Sequence, residues 1–170
     1  MTDIVRAMNP MGSLTTEEAA RGAARASAIG IVVGAIHQAV GGWYSTTPEA
    51  QESAARMVES LTGQAANPDQ FAAQSQMGLY VTGAFVLLQL VLAVVQWRKP
   101  NVVLPILFLV LVIWGLGMAV LALVVPAMSG AQPMWLTTFT LVMMLIAAIL
   151  HISGIRGASA LTKFRDAPAG

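Results

Sequence analysis

Four stretches of the chain, Ala26 to Tyr44, Gly78 to Trp97, Val102 to Val125 and Met134 to Ser153, each run about twenty residues without an Asp, Glu, Lys or Arg. An apolar run of that length matches the roughly 30 Å hydrocarbon core of a bilayer when helical. It is too long for a barrel strand, and inside lipid a helix satisfies its own backbone hydrogen bonds. The expected fold is therefore an all-α integral membrane protein of four antiparallel transmembrane helices. Composition agrees, with 56% hydrophobic and 10% charged residues, where soluble domains have about 45–50% and about 25%. The absence of Cys removes disulfides and thiolate metal sites, and a net charge of +1 gives no electrostatic case for nucleic acid.

The cations set a direction. Arg6, Arg21 and Arg25 precede the first span, Arg98 and Lys99 follow the second, and Arg156, Lys163 and Arg165 follow the fourth. Arg56 alone falls on the other side, among Glu49, Glu52, Glu59 and Asp69. Basic residues flank the cytoplasmic ends of spans. Residues 1–25, 98–101 and 154–170 are thus expected inside, and 45–77 and 126–133 outside. The Ala-rich composition points to a bacterial cytoplasmic membrane. About 25 residues precede the first span and no clean small-residue cleavage site follows it, so this span is read as retained rather than as a signal peptide.

The connections carry recognisable end signals. Thr15 and Glu18 have capping-box spacing, predicting a helix from near Thr16 that runs unbroken into the first span. Residues 1–14 are expected to form a flexible or surface-bound arm. Within 45–77, Thr47-Pro48 opens a helix and Gly63 stops it. Ala50, Ala54, Met57, Val58 and Leu61 recur at helical spacing between them, giving an amphipathic helix read as a lid packed on the bundle or lying in the interface, with a partner-docking element as the alternative. Asn67-Pro68 starts the helix that becomes the second span. Asn101 and Gln132-Pro133 open the third and fourth.

Polar groups inside the spans are the candidate functional residues. On the first span, Ala26, Ser27, Gly30, Gly34, His37, Gln38 and Gly41 share about a third of the circumference. Ile31, Val32, Ile36 and Val40 occupy the remainder, which is expected to face lipid. Gly30, Gly34 and Gly41 are read as helix-packing positions, because small residues let helices approach closely. Ser75, Thr82, Gln89 and Gln96 recur every seven residues and form one stripe. Thr137, Thr140, Met144, Ala148 and His151 form another, and the third span offers only Gly115, Ala119 and Ala122.

Rise per residue puts His37, Gln38, Gln89 and Thr140 within about 6 Å of the midplane, and Ser27, Gln96 and His151 about 10–12 Å toward the cytoplasm. The first four are expected to form one hydrogen-bonded layer and the other three a second. The two histidines then lie about 13 Å apart along the normal, too far to share one haem iron.

No span holds a carboxylate, and no paired-acid, phosphate-loop or nucleophile-and-base pattern occurs. The sequence reading is of a non-catalytic accessory or structural subunit of a membrane complex, without cofactor. Its partners would be the bilayer, other membrane subunits or a second copy. A small transporter or channel using His37, Gln38, Gln89 and Thr140 is the alternative. A haem- or quinone-binding protein using His37 comes third.

Overall fold

The computed structural model describes residues 9–65, 68–124 and 132–166. Among these the chain is all-helical. Helix α1 is Glu17–Tyr44, α2 Pro48–Thr62, α3 Pro68–Arg98, α4 Val103–Val124 and α5 Met134–Asp166. By length and composition α1, α4, α5 and the 71–98 part of α3 can each cross a membrane. The chain is thus a multi-pass membrane protein in type, with apolar helices suited to lipid contact.

The ends follow local chemistry, with one shift of register. Thr16, not Thr15, caps α1, its Oγ1 accepting from the Ala19 amide at 3.2 Å. Two adjacent threonines offer the same hydroxyl, and using Thr16 places Glu17 and Glu18 in the first turn, beside the positive end of the helix dipole. Thr47 accepts from the Ala50 amide to cap α2, Pro48 follows it, and Gly63 ends the helix with a φ of 68°. That left-handed conformation suits a residue without Cβ. Asn101 Oδ1 accepts from the Leu104 amide at 3.0 Å, and the Pro133 carbonyl receives the first α5 amides. In the N-terminal arm, Arg156 donates to the Gly12 carbonyl at 3.1 Å, tying this stretch to α5. Residues 1–8, Asn67 and most of the 126–133 connection lie outside the described residues.

The core is the seam between α1 and α5. Ala20, Ala23, Ala24, Ser27, Gly30 and Ile31 are buried on α1, opposite Leu150, His151, Gly154, Gly157, Ala158 and Leu161 on α5. Contacts pair Ala20 and Ala24 with Ala158 and Leu161 at one end, and His37 with Thr140 farther along. Small side chains make this approach possible. A Cβ on Gly157 would stand 2.6 Å from the Ala23 carbonyl carbon, and one on Gly154 would strike Ser27 Cβ. Helix α5 does not end where the apolar run ends at Ser153. It continues to Asp166, about 50 Å in all, and packs on α1 beyond the apolar part.

Helix α3 lies against α1, and α4 leans on α5 with little contact to α3 among the described residues. Ile31 of α1 joins Ala93 of α3 and Phe108 of α4 in a second buried cluster, with Val32 packed at its edge. This corrects the expectation that Ile31 and Val32 face outward. Helix α1 touches three other long helices, so its packed arc is wider than its small-residue stripe. Ile36 does lie at the surface, 49% exposed. Helix α4 buries only Pro105, Phe108 and Val112.

Candidate functional site

Polar side chains meet across helices at two levels of the bundle. At the level of the α1–α5 core, Ser27 Oγ lies 2.9 Å from His151 Nδ1, with both residues fully buried. The His151 ring stacks on Phe108 with centroids 5.7 Å apart. Gln96, also buried, donates to the Asn101 carbonyl at 3.1 Å and reaches the Ala24 carbonyl at 3.4 Å. It therefore ties α3 both to α1 and to Asn101, the last residue of the 98–101 hairpin. Gln96 Oε1 accepts from the Asn101 amide, so both halves of its amide are used.

Farther along α1, His37 Nε2 lies 3.1 Å from Thr140 Oγ1 of α5. Its ring also stacks near Phe139, centroids 6.2 Å apart. Gln89 of α3 donates to Gln38 Oε1 at 2.5 Å. The four residues expected in one layer are joined as two pairs, one on each flank of α1. Adjacent residues on a helix point about 100° apart, so His37 turns to α5 while Gln38 turns to α3.

Beyond these pairs the helices part. A cavity of about 1110 Å³ opens between α1, α3, α4 and α5, with α2 along its rim. His37, Gln38, Thr140, Ser75, Thr82 and Thr137 supply polar lining, and Trp114, Met118, Leu136 and Met144 supply apolar lining. Ala50, Ala54 and Met57 of α2 face it, whereas Leu61 is 68% exposed. The Tyr44 hydroxyl at its wall is buried without a hydrogen-bond partner among the described residues, and the ring meets Trp135 edge-on.

The three glycines singled out by spacing have different surroundings. A Cβ on Gly30 would lie 3.1 Å from His151 Cε1, one on Gly34 would make ordinary contact with Gln89 Oε1 at 3.7 Å, and one on Gly41 would meet nothing within 4 Å. The closest approaches fall at Gly154 and Gly157, which sequence reading passed over because they lie past the end of the apolar run. Sequence spacing marked part of the cavity lining, His37, Gln38 and Thr140, but not its extent. Its apolar wall of Trp114, Met118 and Met144 has no polar marker, although Gly115, Ala119 and Ala122 had the right periodicity and do line it.

The two histidines are engaged separately, one by Thr140 and one by Ser27. No group of three metal-binding side chains occurs among the described residues. Compared with known proteins, the chain matches no family model, and no curated protein or solved structure is significantly similar to it.

Proposed function

We propose that the protein is a non-catalytic accessory or structural subunit of a membrane complex in a bacterial cytoplasmic membrane. Its four long helices run antiparallel, with both termini and the 98–101 hairpin inside and residues 45–77, including α2, as an external helical insertion. The distribution of cations supports this orientation, because eight of the nine would then lie on the cytoplasmic side. Single-Cys labelling of intact cells tests it. A probe at position 55 should react from outside and one at position 99 should not, and the reverse pattern rejects the orientation.

One observation carries the structural reading. Ser27, His37, Gln38, Gln89, Gln96, Thr140 and His151 each hydrogen-bond to a neighbouring helix. Such bonds are worth roughly 0.6–2 kcal/mol each in a membrane, and they act as ties between helices. The outer faces of α3 and α4, rich in exposed Leu, Val and Ile, are left for lipid or for other subunits. Affinity purification in mild detergent after crosslinking should yield a co-purifying membrane protein at fixed stoichiometry. Recovery of an isolated monomer under those conditions counts against the reading.

A small transporter or channel is the second reading, favoured by the cavity that His37, Gln38 and Thr140 line and by the unpartnered Tyr44 hydroxyl beside it. His37→Ala separates the two. A structural tie predicts a loss of stability of about 1 kcal/mol with partner capture intact in the folded fraction. A solute site predicts lost flux in proteoliposomes from a protein of unchanged stability.

A further inference from the structure

We propose that Arg21, Arg25, Arg98, Lys99 and Arg165 form a binding pocket for a phosphate-bearing anion at the end of the bundle opposite the large cavity. These five cations come from α1, the end of α3 with its hairpin, and the end of α5. They converge on one hollow of about 300 Å³, at the small end of the roughly 300–1,000 Å³ range of ligand sites. Pro100 and Leu161 are its apolar lining, and Leu161 is fixed in the buried cluster with Ala20, Ala24 and Ala158.

Arg25 is held in place. Its Nε donates to the Trp97 carbonyl at 3.3 Å, and its guanidinium lies 5.2 Å from the Trp97 ring centroid. Arg21 is paired with Glu17 at 2.6 Å, the one ion pair in the cluster among the described residues. Among the described residues, the other four cations therefore face one hollow without an ion-pair partner.

Membrane orientation requires cations on one side, not their convergence. Helix dipoles favour Arg98 and Arg165 at the C-terminal ends of α3 and α5. They give no such help to Arg21 and Arg25, which lie in the N-terminal part of α1. Like charges gathered at short range repel, and an anion offsets that repulsion. Guanidinium groups suit phosphate oxygens because they donate two parallel hydrogen bonds. This inference rests on the four-span reading only for the level of the pocket, which would be that of the cytoplasmic headgroups. The phosphate can belong to a two-phosphate anionic phospholipid or to a soluble anion.

The test is the thermal midpoint of the full chain in neutral detergent. It is titrated with a two-phosphate phospholipid, with phosphatidylcholine and with inorganic pyrophosphate. The expected result is a rise with the two-phosphate lipid and none with phosphatidylcholine. The triple variant Arg98→Gln, Lys99→Gln, Arg165→Gln should bind roughly a hundredfold more weakly. Its response is read against its own midpoint without ligand, because all three side chains are exposed and their replacement leaves the packed core intact. Arg56→Gln, on α2, should respond as the native protein. An equal rise with pyrophosphate assigns the pocket to a soluble phosphate. No rise with either phosphate compound, or an undiminished rise in the triple variant, overturns the proposal. Detergent binding does not depend on orientation, so a failed labelling experiment and a failed titration are told apart.

Discussion

Replacing Gly157 by Ala should destabilise the protein by about 1–3 kcal/mol, the usual cost of overpacking a filled site. The sign is informative. In a helix interior Ala is favoured over Gly by about 1 kcal/mol, so propensity alone predicts a gain. The added Cβ would meet Ala24 N, the Ala23 carbonyl carbon and the Ala20 carbonyl oxygen, the last at 2.7 Å. All three are backbone atoms of α1, which no rotamer change can move aside. The helices must separate, and that loosens the Ala20, Ala24, Ala158 and Leu161 cluster. Gly41→Ala is the matched control, because nothing lies within 4 Å of its Cβ position. It should be neutral or stabilising. Unfolding of both variants in one detergent, followed by thermal or denaturant titration, decides the matter. Equal behaviour would mean that α1 and α5 do not approach at Gly157.

His151→Ala should cost about 2–4 kcal/mol, through a void in a packed interior and a lost interhelical hydrogen bond. The ring is 1% exposed. Its removal takes away the stacking partner of Phe108 and leaves the buried Ser27 hydroxyl without its 2.9 Å contact. His37→Ala should cost clearly less, because His37 borders an open cavity into which solvent or lipid can move. Ser27→Ala should cost about 1–2 kcal/mol, since it strands an imidazole nitrogen but removes few atoms. A double-mutant cycle on Ser27 and His151 should give a coupling of about 0.5–2 kcal/mol. If the two histidine variants lose the same stability, the closed end of the bundle is not where the core lies.

Much of this protein is written in local sequence. The charge-free apolar runs fix four long helices, because a chain in lipid has few other ways to satisfy its backbone. Thr47, Pro48 and Gly63 mark the ends of α2 through their own hydroxyl, ring and missing Cβ. The periodic stripe of Ser75, Thr82, Gln89 and Gln96 faces inward along its length, since a seven-residue repeat stays on one face of a packed helix.

The tertiary structure decided the rest, because it depends on which helix becomes central. With α1 in contact with three other long helices, Ile31 and Val32 are drawn into packing that a two-sided helix would not give them. The pairing of His37 with Thr140 and of Gln38 with Gln89 required the azimuth of α1 relative to both neighbours, which no single helix encodes. The cavity arises where α4 leans on α5 instead of α3, and such a space has no residue of its own to announce it. The basic hollow is the same kind of feature. Arg21, Arg98 and Arg165 are far apart in the chain; the close seam at Gly154 and Gly157 joins the end of α5 to α1, and the bonds from Gln96 to Ala24 and from Arg25 to Trp97 join the end of α3 to it. The sequence by itself determined which segments are helical and which faces carry polar groups, because those depend on neighbours within a few residues. Which polar groups meet, and where space remains between helices, depends on side-chain volumes summed over whole helices, and only the assembled bundle settles that.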